Sequence, residues 1–147
     1  MILYPLDTNV LQEMHAGGHP KVLAWLATVN DHQLRYSVIT FHESRLGLER
    51  ERLRRKGKDA SDIEAKLTEL DASIEELADR TLGIDSKISS EWARMLAASG
   101  KNDRDTALAA TARVHDLVLV TRNIKHVAGR DILALDPFVN KPAIRRV

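Results

Sequence analysis

The chain has 147 residues, a length that suits one hydrophobic core, and its 44% apolar and 29% charged residues lie far from the composition of a disordered chain. With no cysteine, disulfides, thiolate nucleophiles and cysteine-type zinc sites are excluded, so any metal is held by oxygen or imidazole. The formal net charge of +1 is too small to draw nucleic acid by itself, and no segment reads as a signal peptide or membrane span, which points to a cytoplasmic, single-domain protein.

Residues 2–6 form a short apolar run, predicted as a strand despite Pro5, and Asp7-Thr8-Asn9 then supplies residues that start helices. A helix is predicted over 20–29, with Pro20 in its first turn and Val22, Leu23, Trp25, Leu26 and Val29 at helical spacing. A short strand over 34–38 leads into a helix from Thr40 to Leu53, and a second long helix runs over 61–77, the two forming a hairpin about Gly57. Residues 81–84 read as a weak strand, 86–99 as a helix, 105–114 as an alanine-rich helix, 117–120 as a buried strand and 132–135 as a last strand. Residues 141–147 read as a flexible tail. Strands alternating with helices give an α/β sandwich with a mostly parallel sheet, whose ligand site belongs at the carboxyl ends of its strands.

Three acids fall where strand ends meet helix beginnings. Asp7 follows the first strand and is either a helix cap or a site carboxylate. Glu43 stands three residues after Thr40, which fits a capping box as well as a functional role. Asp105 opens the alanine-rich helix, where it competes with Asp103 to cap it. Gathered on one face, two such charges about 5 Å apart repel by roughly 3 kcal/mol at an effective dielectric near 20, so the cluster calls for a cation or a proton. Oxygen ligands suit Mg²⁺ or Mn²⁺, and the reaction such a site serves most naturally is hydrolysis of a phosphodiester. No phosphate-binding glycine loop, nucleophile elbow or paired-histidine zinc motif competes with it.

The stretches Leu6-Asp7-Thr8-Asn9-Val10-Leu11, Ser37-Val38-Ile39-Thr40-Phe41-His42-Glu43 with Leu46-Gly47, and Asp105-Thr106-Ala107-Leu108-Ala109-Ala110-Thr111-Ala112 running into Leu119-Val120-Thr121-Arg122-Asn123 are similar to the three motifs of a known family. In order and spacing the chain resembles, over nearly its whole length, the PIN-domain ribonucleases of the VapC toxin family, including the FitB-like branch. The resemblance implies a PIN-like α/β/α sandwich with a protruding helical hairpin. It also implies an endoribonuclease toxin of a type II toxin-antitoxin system, with Asp7, Glu43 and Asp105 as catalytic and metal-holding acids. The chain departs from the family at its fourth acid, having Asn123 at one position where that acid occurs and His126 at the other. Asn123 is then expected to hold a metal or orient water through its amide oxygen, and His126 to bond substrate or act as a base, with Thr8, Asn9 and Thr121 in support. The same departure leaves open a catalytically weak chain that binds RNA, or that binds DNA with a partner.

The resemblance further implies a cognate antitoxin as inhibitor and a homodimer. The basic run from Arg45 to Lys58 is either a solvated helix face or a positive rim for RNA phosphates, with Arg45, Arg50 and Arg122 as the RNA-binding candidates.

Overall fold

The structure, a computed structural model, describes residues 1–147. Its strands are short, and the central ones, β1, β4 and β5, are brief apolar runs largely buried, as parallel strands are when helices cover both sides. Strand β1 (Tyr4–Pro5) pairs in parallel with β2 (Leu34–Ser37), which pairs in parallel with β3 (Thr81–Leu82). Strand β4 (Val118–Val120) pairs in parallel with β5 (Leu133–Leu135), and β6 (Arg145–Arg146) closes that edge antiparallel. The two ladders meet at a single bridge, Leu6 with Val120, flanked by the bonds Asp7 N to Val120 O at 3.0 Å and Val118 N to Leu3 O at 3.1 Å. The strand order across the molecule is therefore β3, β2, β1, β4, β5, β6.

Pro5 explains why the join is so sparse. Along β1 the Leu6 amide faces β2, bonding Arg35 O at 3.0 Å, and the Asp7 amide faces β4. By this alternation residue 5 also faces β4, and a proline there has no N–H to give.

Helices α1 (Thr8–Leu11), α2 (Pro20–Leu26), α3 (Val38–Arg54) and α4 (Ser61–Glu76) lie with one core, around Tyr4, Leu6, Trp25, Tyr36, Val118 and Val120. Helices α5 (Ser86–Ser99), α6 (Asp103–Val114) and α7 (Ile124–Val127) lie with the other, around Ile88, Met95, Leu108, Leu117, Leu119 and Ala134. Alternate β4 residues thus point to opposite cores, as a pleated strand requires. The small residues of α6 let it pack closely, and 106–112 are buried without a break.

Helices α3 and α4 form the expected hairpin, turning through Lys56 and Gly57 at φ of 48° and 84°. The ion pairs Arg45 with Asp71, Arg52 with Glu64 and Arg55 with Asp62 show the two to be antiparallel.

Several local expectations are corrected. Helix α2 ends at Leu26, where the Thr28 hydroxyl donates to Trp25 O at 2.6 Å. Helix α3 begins at Val38 because Ser37, extended at φ −123° and ψ 143°, caps it by accepting the Ile39 N–H at 3.1 Å. Thr40 is therefore inside the helix and the capping box with Glu43 does not exist. Helix α6 begins at Asp103, two residues earlier than expected, after Asn102 in the left-handed region at φ 55°. The tail is tied down: Ile132 and Val147 exchange backbone bonds at 3.1 and 2.9 Å beside β6, since β5 would otherwise be a bare edge.

Candidate active site

Chain direction places the site. From β1 the chain winds outward through β2 and β3, then returns to lay β4 and β5 on the other side of β1. The carboxyl ends of β1 and β4 border the point where the order reverses, the place where open α/β sheets bind ligands. Asp7 leaves one of these ends and Thr121 the other.

Asp7 caps α1, accepting the Thr8 N–H at 2.7 Å, and its second oxygen accepts the Thr121 hydroxyl at 2.6 Å and the Asn9 amide at 3.2 Å. It is only 4% exposed. Burial pushes its carboxyl above the ordinary aspartate range; the Thr121 bond opposes this, the nearby Asp105 charge adds to it, the Thr8 bond opposes and Glu43 adds. Cap and site carboxylate are thus one group. Thr121 also accepts the Asn123 N–H at 3.0 Å, and Asn9 accepts the Arg122 N–H at 3.2 Å, which binds the β4 exit loop to the start of α1.

Glu43 lies on α3 over the same edge, one oxygen accepting the Thr8 hydroxyl at 3.0 Å and the other facing the Arg104 guanidinium at 3.6 Å. Asp105, third in α6, meets His126 of α7, with Nδ1 2.8 Å from Oδ2. A cleft of about 490 Å³ is lined by these three acids with Thr8, Asn9, Gln12, Asn102, Asp103, Arg104 and Asn123, and by no hydrophobic residue. Thr121 and His126 stand behind that lining, holding Asp7 and Asp105.

The RNA-binding candidates lie outside the lining. Arg45 is paired with Asp71, and the basic run it opens is largely neutralised within the hairpin: Arg52 by Glu49 and Glu64, Arg54 by Glu51, Arg55 by Asp62 and Glu51. Arg50 is exposed on α3, and Arg122 stacks over the Phe138 ring at 4.8 Å. The hairpin face is thus laced by exposed ion pairs, among which Arg50 has none. Sequence reading passed over Arg104, the single cation of the lining. Its signal was its place between Asp103 and Asp105 in the first turn of a helix, where the macrodipole disfavours a cation.

The donor set suits a hard cation: carboxylate and amide oxygens in a polar cleft, with Asp7 driven upward first by burial and further by the charges of Asp105 and Glu43. No three acidic or imidazole groups converge to ligating geometry, because each acid is engaged by a protein donor of its own. Asp7, Asp105, Glu43 and Asn123 are the oxygens within the lining from which a cation would draw. No helix is long and apolar enough to cross a membrane.

Comparison with known proteins agrees with this architecture. The PIN domain family model matches residues 4–128. The chain is 27% identical to toxin FitB of Neisseria gonorrhoeae over 139 residues, covering 90% of this chain and 96% of that one. Among solved structures, FitAB bound to a DNA fragment superposes with TM-score 0.75 at 25% identity, covering 95% of this chain and 98% of that one. The FitAcB crystal structure from Neisseria gonorrhoeae superposes with TM-score 0.73 at 27% identity, over 92% and 99%. The fold alone is shared with VapBC-1 of nontypeable Haemophilus influenzae, at TM-score 0.62 and 23% identity over 94% and 100%.

Proposed function

The chain belongs to the PIN domain family, and from that premise we propose that it is a cytoplasmic toxin of the VapBC/FitAB kind, a Mg²⁺- or Mn²⁺-dependent endoribonuclease held in check by a cognate antitoxin. The observation that carries this reading is the meeting of Asp7, Glu43 and Asp105 in one wholly polar cleft at the sheet's switch point. Similarity to a toxin and to members of toxin-antitoxin systems supports the inhibitory partner, and a homodimer is part of the same proposal.

A divalent cation held by these acids supplies Lewis acidity toward the phosphodiester and lowers the pKa of the attacking water. The chain's own groups do the rest. Thr121 and the Thr8 amide fix the Asp7 carboxylate on a defined rotamer, so that it reaches the cleft already oriented. Thr8 does the same for Glu43, and His126 for Asp105. Asn123 presents an amide to the cleft, suited to orienting water or substrate.

A second reading has one observation in its favour. His126 engages Asp105 and the acids do not converge to ligating geometry, and on this second reading the chain is a weak hydrolase that binds RNA, or that binds DNA in a complex with its partner. One experiment separates the two: labelled single-stranded RNA and matched DNA are incubated with partner-free protein and Mg²⁺, Mn²⁺ or EDTA. We expect RNA cleavage that EDTA abolishes and that added antitoxin suppresses. RNA binding that is indifferent to metal, with no cleavage, selects the second reading.

A further inference from the structure

The cleft contains four carboxylates, those of Asp7, Glu43, Asp103 and Asp105, against one guanidinium. An RNA strand is itself a polyanion, so a site that admits it needs a cationic group facing inward. Arg104 is the one such group the chain provides there, and its surroundings are those of a side chain that waits for a ligand. Its one ion pair, with Glu43 at 3.6 Å, is longer than a hydrogen bond and leaves its N–H fork uncommitted. The side chain is 42% exposed. It also sits second in α6, at the positive end of the helix, where the macrodipole disfavours a cation, and the neighbouring carboxylate of Asp103 is engaged by the Trp92 N–H at 3.1 Å.

On the ribonuclease reading above, we propose that Arg104 is the phosphate-gripping residue of the site: its guanidinium exchanges Glu43 for the backbone phosphate of the bound RNA, releasing Glu43 to the cation. A planar fork suits two phosphate oxygens at once, which lysine's single ammonium does not reproduce. The exchange keeps charge in step, since a cation takes up Glu43 as the guanidinium turns to the incoming anion.

The test is binding rather than turnover. Labelled single-stranded RNA of mixed sequence is titrated with Asp7→Asn protein in Mg²⁺, followed by fluorescence anisotropy over a range of salt. Arg104→Gln in that background is expected to weaken binding roughly tenfold or more and to lower the log–log salt slope by about 0.7, with Arg104→Lys between the two. Arg94→Gln, on the outer face of α5 and paired with Glu91, serves as the charge control and leaves both quantities unchanged. Equal affinity and slope for the Asp7→Asn and Asp7→Asn/Arg104→Gln proteins overturns the proposal. So does RNA binding by none of them. Cleavage by the unmodified protein then tells whether the ribonuclease reading falls as well: cleavage with an indifferent Arg104 leaves that reading standing.

Discussion

At the scale of the residue, Asp7 concentrates the conflict between folding and function. Its carboxyl is buried, and burial with the charges of Asp105 and Glu43 outweighs the bonds from Thr121 and Thr8, so its folded pKa lies above the ordinary value of 3.8. An acid whose pKa rises on folding resists ionisation in the folded state. The cost is absent below about 3.8, grows as pH rises through the folded value, and is fully present above it. Asp7→Asn removes the charge, and its amide oxygen still accepts the Thr8 N–H, but its NH₂ replaces the oxygen that accepts the Thr121 hydroxyl and the Asn9 amide, so the prediction lies in the pH dependence: the melting temperature of the variant relative to the unmodified protein should be higher at pH 7 than at pH 3.5. Melting temperatures across that range check it, and a difference independent of pH contradicts the assignment. The three acids could be picked out in the sequence because each stands where a strand-like run gives way to a helix or in a helix's first turns. Arg104 and the His126 bond to Asp105 were not, since both depend on α6 starting two residues earlier than the competing caps suggested and on α7 folding back against it. The capping box failed for a related reason: Ser37 and Thr40 each offer a hydroxyl, and only Ser37 has the extended backbone of a cap. Thr40 turned inward instead, where its hydroxyl finds no partner.

At the scale of the element, the segment that brings Arg104 and Asp105 to the cleft is held by a residue that composition alone would place on the surface. Arg130 is buried, and no carboxylate pairs with it. Its guanidinium instead donates to Met95 O at 2.6 Å, to the Ser99 hydroxyl and to Thr106 Oγ1 at 3.2 Å, tying the end of α5 to the start of α6. Arg130→Lys keeps the charge but cannot reach three acceptors, and should cost about 1–3 kcal/mol as measured by urea unfolding. Unchanged stability would show that the α5–α6 junction is held by packing alone. Strands β1 to β5 were anticipated, though drawn too long, because apolar runs mark where a strand lies but not where pairing stops. Pairing between β1 and β4 is thinned at Pro5, which has no N–H to give, and it stops at the loops that cross the sheet's carboxyl edge. The ordered end of the chain was missed because Arg145-Arg146 carries no hydrophobic signal; it pairs through backbone, with Arg146 reaching Asp131 at 2.9 Å.

At the scale of the whole molecule, the fold divides its tasks. The hairpin of α3 and α4 is closed by exposed ion pairs, each contributing little to stability, and its basic residues are largely used in holding the hairpin together. The carboxyl edge of the sheet, which the first turns of α3 also reach, gathers the acids. RNA is therefore expected to meet a negative cleft relieved by a cation and by Arg104 rather than a broad positive face, which agrees with a formal net charge of only +1. The mostly parallel sheet, with a ligand site at the carboxyl ends of its strands, followed from the alternation of strands and helices; the strand order and its switch point came only with the structure. What no pattern of hydrophobicity could show was which charges neutralise one another, because ion pairs form between segments far apart in the chain.

The account turns on the three acids working as one metal-dependent unit, and the most direct test is RNA cleavage in Mn²⁺ by the unmodified protein beside Asp7→Asn, Glu43→Gln, Asp105→Asn and the triple variant. Groups that act together lose their effect together. Each single variant is predicted to lose roughly 10²-fold or more, with the triple variant little worse than the most damaging single one. Undiminished cleavage by Asp7→Asn, or losses that simply multiply in the triple variant, would contradict the account.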